Sequence, residues 1–165
     1  MSMIGNFLSV DESSLQALIS GETDVFELER AALSGESEHQ FIDVDKCWQA
    51  IHFLLCQKAY EGETPMGYVV PLRDINACAI ETDYGAFFLH PEQVREASGY
   101  LQTLTEEKIK AMYDYQAMLD AAIYPLHPGE EEDDFFDYVY GYFSPLKDFY
   151  LNAAQKGYSV LFYIM

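Results

Sequence analysis

The chain has 165 residues, half of them hydrophobic and 15% aromatic, and its formal net charge is −19. This length and composition predict one folded domain over residues 1–165, with a core large enough to need no disulfide or metal. The excess of carboxylates repels phosphate groups, so we expect no nucleic-acid binding and no binding to anionic membrane surfaces. A basic protein partner would be attracted, although acidity also serves solubility alone.

Targeting signals and disulfides are not expected. The N-terminal segment MSMIGNFLSVDESS has no basic region and no small-residue cleavage site, which argues against a signal peptide. No apolar run approaches the roughly 20 residues that span a bilayer. The cysteines, Cys47, Cys56 and Cys78, are odd in number and lack the spacing of a zinc site. We therefore expect a cytoplasmic protein with reduced thiols.

The first quarter of the chain predicts one strand and two helices. Residues 3–10 have apolar side chains on both faces, as in a central strand. Asp11 is suited to cap a helix that ends at Gly21, and residues 24–33 predict a second amphipathic helix. Residues 34–40 predict a solvated loop.

The segment DVDKCWQAIHFLLC, residues 43–56, predicts a helix. Asp43 or Asp45 would cap it, since carboxylates at a helix start suit both the capping position and the helix dipole. Short strands are predicted at 68–72 and 77–83, the first of them broken by a proline.

The second half of the chain is mainly helical. Residues 85–104 predict a strand, a turn and a helix that begins at Pro91, and residues 105–125 predict one long helix capped by Thr105.

A final helix over 135–157 is either kinked or divided in two at Pro145, with Ser144 capping the second part. Residues 158–165 predict an apolar terminal strand, which we expect to pair with the first strand of the chain.

The helix predicted over 43–56 contains the only tryptophan, Trp48, together with His52 and Cys56. His52 and Cys56 are four residues apart, but a zinc site needs three or four protein ligands and the other histidines are scattered, so we expect no metal and no cofactor. A cysteine–histidine nucleophile needs an accessible thiol, whereas HFLLC is apolar and typical of a core. We therefore assign no catalytic residue and expect Trp48 and His52 to be structural.

An acidic run precedes the final helix and allows two interpretations. It consists of Glu130, Glu131, Glu132, Asp133 and Asp134. The run could form the rim of a surface that attracts a basic partner. Carboxylates at a helix start are also favoured by the helix dipole alone. No nucleotide-binding or nucleophile-elbow motif occurs in the chain.

Four segments resemble one family in the same order along the chain. MSMIGNFLSV is similar to the M-x-MIG-x-F opening of the YfbM-like family, small bacterial proteins catalogued as a domain of unknown function. DVDKCWQAIHFLL, FFLHPEQVREASGYL and LKDFYLNAAQKGYSVLFYI resemble three further segments of that family. The chain departs from the pattern at His90, where threonine is usual before proline, and at Pro145 inside the final helix.

The resemblance implies an α+β single domain in which helices flank a mixed β-sheet as a three-layer αβα sandwich, with both terminal strands in that sheet. It implies no reaction. It points to a candidate pocket at the matching positions Asp43, Asp45, Lys46, Trp48 and His52. Proteins of this type are associated with immunity-like roles beside bacterial toxins, which is an association rather than a mechanism.

Two functional hypotheses follow. The first is a non-enzymatic acidic interaction protein, of which an immunity protein is one example, that binds a basic partner and occludes it. The alternative is a small hydrolase or transferase in which Asp45 is a base or orienting acid, His52 the acid–base group and Trp48 a pocket wall. The alternative requires these three side chains to converge on an open cleft.

Overall fold

The first and last strands of the chain, β1 (Gly5–Val10) and β5 (Ser159–Ile164), pair in one sheet, as the sequence predicts. This computed structural model describes residues 2–72, 77–78 and 84–165, with only the backbone described at 77–78. Every residue of both strands is buried, which explains their apolar character on two faces. The first and last strands thereby lie in the interior of the molecule.

Among the described residues the sheet has five strands, and every pair of neighbouring strands is antiparallel, which corrects the expectation of a mixed sheet. Neighbouring strands run in opposite directions, although the connection between the two edge strands crosses from one end of the sheet to the other. The order across the sheet is β2 (Gln40–Asp43), β1, β5, β4 (Ala86–Leu89) and β3 (Ala77–Cys78). The strand predicted at 77–83 lies largely outside the described residues.

Helices cover both faces of the sheet, which confirms the three-layer α+β sandwich. One face packs under α1 (Glu12–Ser20) and α2 (Val25–Ser34). The other face carries α3 (Trp48–Cys56), α4 (Pro91–Gln102), α5 (Glu106–Met112), α6 (Tyr115–Asp120) and α7 (Glu132–Lys156). Alternate residues of β1 serve the two cores: Phe7 packs 4.8 Å from the Phe162 ring on the α7 side, and Leu8 faces the opposite core.

The first two helices begin and end where the sequence predicts. The Asp11 carboxylate accepts the Ser14 N–H at 2.8 Å, and Asp24 accepts the N–H groups at the start of α2. Gly21 adopts a left-handed conformation (φ 78°) at the end of α1, which a glycine reaches at little cost.

The helix predicted over 43–56 begins only at Trp48, so neither Asp43 nor Asp45 caps it. Residues 40–43 instead form β2 at the edge of the sheet, where the predicted loop ends. Asp45 has a left-handed backbone (φ 46°), which no helix start permits. Pairing with β1 therefore overrides the local capping signal.

The long helix predicted over 105–125 is divided into α5 and α6. Thr105 caps the first, as predicted, but the Asp114 carboxylate accepts the Ala117 N–H at 2.9 Å and starts the second. The interruption lets Ile109 and Met118 both reach the core.

The segment 68–72 is buried but is not a strand, contrary to prediction. Met66–Tyr68 forms a 3₁₀ turn, and an irregular segment follows it. The Tyr150 hydroxyl donates to the Val69 carbonyl at 2.9 Å, so a side chain satisfies a backbone group that a neighbouring strand would otherwise pair.

The final helix α7 is continuous across Pro145, so of the two predicted alternatives it is not divided. Pro145 cannot donate to the carbonyl of Gly141. Both residues lie on the exposed face of the helix, where water can bond that carbonyl.

Candidate functional site

The segment that follows β2 turns the Asp45 side chain away from the sheet. The Val44 N–H donates to the Gly5 carbonyl at 2.9 Å, and the Gly5 N–H donates to the Asp45 carbonyl at 2.9 Å. Two residues thus oppose one, as in a β-bulge, a feature that redirects side chains at the ends of strands. The Asp43 carboxylate accepts the Asp45 N–H at 3.0 Å and holds the bulge. The left-handed conformation of Asp45 is maintained by these bonds.

Trp48 and His52 lie beneath this segment, in the core. Trp48 is 4% exposed, and its indole N–H donates to the Met3 carbonyl at 3.1 Å. His52 is 2% exposed, and its Nε2 lies 3.1 Å from the Glu61 carbonyl oxygen. Burial lowers the pKa of His52, against a smaller upward effect of the backbone of Glu61. Both side chains are buried, as predicted, but among the described residues His52 Nδ1 has no hydrogen-bond partner, so one ring nitrogen is bonded rather than both.

Tyr124 joins this buried helix to the surface. Its ring lies 6.2 Å from the Trp48 ring, and its backbone N–H donates to the Gln49 side-chain oxygen at 2.8 Å. Its hydroxyl accepts the Met3 N–H at 3.2 Å. These contacts fix the loop between α6 and α7 against α3.

Two tyrosine hydroxyls hold the acidic run in place. Tyr115 donates to the Glu130 carbonyl at 2.6 Å, and Tyr113 donates to the Glu132 carbonyl at 3.1 Å. Both bonds use backbone oxygens, so neither tyrosine occupies the carboxylate of Glu130 or Glu132.

These segments enclose a cleft of about 780 Å³. Two of its walls come from distant parts of the chain, one just after β2 and the other from the loop and first turns of α7. It is lined by Asp45, Lys46, Tyr124, Pro125, His127, Gly129, Glu130, Glu131, Asp134, Phe135 and Tyr138.

The cleft is strongly acidic. Its carboxylates are those of Asp45, Glu130, Glu131 and Asp134, against one lysine, Lys46. His127 Nε2 lies 3.0 Å from a Glu130 oxygen. Such a site attracts cations and repels anions.

Tyr138 lines the cleft next to Asp45. Its hydroxyl donates to Asp45 Oδ2 at 2.8 Å. Burial, followed by this hydrogen bond to the carboxylate, raises the pKa of Tyr138 well above its ordinary value. The phenol therefore stays protonated and acts as a fixed donor to Asp45 rather than as a base.

The structure brings together part of each set of candidate residues. Asp45 and Lys46 line the cleft, whereas Trp48 and His52 are buried beneath it and Asp43 is exposed outside it. From the acidic run Glu130, Glu131 and Asp134 line the cleft.

The sequence reasoning missed the aromatic walls, Tyr124, Phe135 and Tyr138. The available signal was that Glu131, Asp134, Phe135 and Tyr138 follow one another at spacings of three, one and three residues, which places them on one side of a helix.

The geometry of the cleft suits the binding of a cationic group. Among the described residues no group of three or more histidine, cysteine, aspartate or glutamate side chains is placed to hold a metal ion. Burial raises the pKa of Cys56 to about 11 and that of Cys47 further, so both thiols stay protonated. Within the described ranges no helix has the length and apolar character to cross a membrane.

Comparisons with known proteins give a family and a fold. The model of a family described as a domain of unknown function, DUF1877, matches residues 1–163. The crystal structure of YfbM from Escherichia coli, a protein of unknown function, aligns with a TM-score of 0.69 at 17% identity, covering 98% of this chain and 99% of that one. At this identity the likeness shows a shared fold. A search of curated proteins gives no match.

Proposed function

The chain belongs to the DUF1877 family, as the resemblance to YfbM-like proteins predicts, and we propose that it is a non-enzymatic interaction protein that binds a basic partner protein. The observation that carries this proposal is the convergence of Asp45 with the acidic run in one cleft. Eighty residues or more separate these carboxylates along the chain, so the tertiary fold, not a local helix start, concentrates them.

The walls of the cleft add selectivity for lysine and arginine side chains. Carboxylates form charge-assisted hydrogen bonds with ammonium and guanidinium groups. The rings of Tyr124 and Tyr138 offer apolar and π surface for the rest of such a side chain. A metal ion or small cation would use only the first of these features.

In the alternative, a hydrolase or transferase, His52 would be the acid–base group, but it does not line the cleft. His52 is buried under the cleft and bonded to the Glu61 backbone, and Trp48 forms no wall of the cleft. No specific observation favours this alternative, and we do not propose it.

The proposed mechanism is steric occlusion guided by charge. A net charge of −19 steers a basic partner toward the protein, and the cleft then orients it. An immunity-like protein that covers a basic toxin surface is one partner relationship of this kind. Because exposed charges are screened by salt, binding should weaken as ionic strength rises.

The experiment is affinity capture from an extract of the native host, with three versions of the protein. The test variant carries Glu130→Gln, Glu131→Gln and Asp134→Asn. The control variant carries Glu22→Gln, Glu106→Gln and Glu107→Gln at exposed positions away from the cleft. Removing three carboxylates from 28 leaves 25, so both variants have a net charge of 9 − 25 = −16.

We expect the wild type and the control variant to retain the same basic protein at low salt. The cleft variant should retain at least about tenfold less, the equivalent of 1.4 kcal/mol. Equal retention by both variants, or capture of no basic protein, would overturn the proposal.

A further inference from the structure

One edge of the sheet is open. Strand β2 is the last strand on its side, and its residues are partly exposed, unlike the buried residues of β1. An edge strand presents unpaired N–H and C=O groups that can pair with another chain.

The register identifies which backbone groups are free. Val44 and Gly5 form a hydrogen-bonded pair, and the Gln40 N–H also points to β1, where it meets the Ser9 hydroxyl at 3.0 Å. Because bonded and non-bonded pairs alternate in an antiparallel ladder, the N–H and C=O of Phe41 and Asp43 point outward. Within the described part of the chain, no hydrogen bond to these four groups comes from outside the sheet.

The charges around the open edge indicate what covers it. Four carboxylates lie along this segment, those of Glu36 and Glu38 before β2, Asp43 at its end and Asp45 after it, against two lysines, Lys46 and Lys156, the second of which donates to the Glu38 carbonyl at 3.0 Å. A second copy pairing at this edge would bring together two molecules that each have a net charge of −19, so overall repulsion opposes it. A basic segment would have complementary charge along the same length.

The open edge is continuous with the cleft. Asp43 is the last residue of β2, and Asp45 and Lys46 already line the cleft. An extended segment rises roughly 3.3 Å per residue, so about five residues of a partner would extend from Phe41 to the cleft. Such a segment can pair with the edge and place a basic side chain in the cleft at once.

We infer that β2 is a docking edge for an extended basic segment of the partner protein, which adds a sixth strand to the sheet through Phe41 and Asp43 and inserts a lysine or arginine into the cleft. This inference rests on the proposed function and specifies how the partner binds. Backbone pairing supplies part of the affinity, and the charged side chains supply the selectivity.

Two synthetic peptides test the inference without knowledge of the natural partner. The probe is a fluorescent heptapeptide that alternates lysine with valine or threonine. The control peptide has the same side chains with every backbone amide nitrogen methylated, so its charge is equal but it has no N–H group to pair with the edge. Binding is measured by anisotropy at about 50 mM salt, and amide hydrogen exchange of the protein is followed by NMR with and without each peptide.

The inference predicts a specific exchange pattern. The amides of Phe41 and Asp43 should exchange rapidly in the free protein, whereas the Ile42 amide, which faces β1, should already be protected. The probe should slow exchange at Phe41 and Asp43 at least about tenfold, and the N-methylated peptide should not.

Two variants at one position separate backbone pairing from charge. Asp43→Pro and Asp43→Ala both lose the carboxylate, but only proline loses the outward N–H, and proline is tolerated at such edge positions. The proline variant should bind the probe about threefold to tenfold more weakly than the alanine variant, the range expected for one hydrogen bond. Circular dichroism confirms that both variants fold.

The outcomes distinguish this inference from the proposed function. Equal binding of both peptides, without protection of Phe41 and Asp43, would overturn strand addition and leave the acidic cleft as the site. Failure of both peptides to bind would overturn both proposals. Protection of the same two amides in the peptide-free protein, together with a dimer in sedimentation, would assign the edge to a second copy and overturn the basic segment as its occupant.

Discussion

Trp48 is a structural anchor that ties the N-terminus to α3. Its indole N–H donates to the Met3 carbonyl, and its ring contacts Tyr124 and Phe162. Trp48→Phe removes the donor and part of the ring, leaving a buried carbonyl unpaired. We expect a loss of about 1–3 kcal/mol in the free energy of unfolding, measured by urea denaturation at pH 7. A change within about 0.5 kcal/mol, typical of surface substitutions, would contradict the structural role.

His52 should make stability depend on pH in a defined direction. Burial lowers its pKa in the folded state, so below the ordinary value of about 6.5 the unfolded chain binds the proton more readily than the native one. The contribution is fully present above that value and is lost as pH falls toward the folded pKa, at up to about 1.4 kcal/mol per pH unit.

His52→Gln isolates this effect, because glutamine can still donate to the Glu61 carbonyl but does not titrate. The difference in unfolding free energy between wild type and variant should therefore shift against the wild type between pH 7.5 and 5. Urea denaturation across that range measures it. If the free energies of unfolding of the two proteins change with pH in parallel, His52 has the same pKa in the folded and the unfolded chain, and the prediction is wrong.

At the scale of elements, β1 and α3 approach so closely that only glycine fits between them. A Cβ added at Gly5 would lie 2.8 Å from Trp48 Cβ and 3.1 Å from Val44 Cγ2. None of these atoms is the end of a flexible side chain, so the backbone must move. Gly5→Ala should cost about 1–3 kcal/mol of stability by overpacking.

Gly99 provides the matched control for that prediction. It lies in the exposed middle of α4, where an added Cβ meets nothing within 4 Å. Gly99→Ala should stabilise the protein by about 0.5–1 kcal/mol through helix propensity. Thermal unfolding of both variants tests the pair, and a neutral or stabilising Gly5→Ala would show that β1 and α3 are not in close contact.

Local signals predict the elements that are capped or wholly apolar. The carboxylates of Asp11 and Asp24, the glycines after α1 and α7 and the apolar strands β1 and β5 lie where the sequence places them. Strand β2 could not be predicted in this way, because its four residues carry no apolar pattern and gain their structure from β1.

The candidate site could be predicted only in pieces. The sequence identifies Asp45, Lys46 and the acidic run as candidates, but their meeting depends on a bulge and on a loop fixed by Tyr124. Neither feature has a local signature, since both arise from contacts between distant segments. Trp48 and His52 do not line the cleft, because spacing on a helix does not reveal which face the core covers.

At the scale of the whole molecule, the excess negative charge is little compensated by ion pairs. Among the described residues, Arg95 and Glu92 form the one ion pair between a lysine or arginine and a carboxylate. Two lysines donate to backbone carbonyls just after α4 instead. Lys108 Nζ donates to the Thr103 carbonyl at 3.0 Å, and Lys147 Nζ donates to the Leu104 carbonyl at 2.6 Å. Such bonds satisfy orphan carbonyls but leave the carboxylates repelling one another.

Salt should therefore stabilise this protein rather than weaken it. Raising KCl from about 10 to 300 mM shortens the screening length from roughly 30 Å to under 10 Å, which reduces repulsion among carboxylates while few surface ion pairs are lost. We expect the free energy of unfolding in urea to rise by on the order of 1 kcal/mol, the size of one close charge pair in water. The variant with Glu22→Gln, Glu106→Gln and Glu107→Gln should show a smaller rise, because its net charge is lower. A stability that falls with salt would mean that ion pairs, not repulsion, dominate the surface. The affinity for a basic partner should fall as salt rises, whereas the free energy of unfolding should increase. The two measurements over one salt series therefore distinguish repulsion within the protein from attraction to the partner.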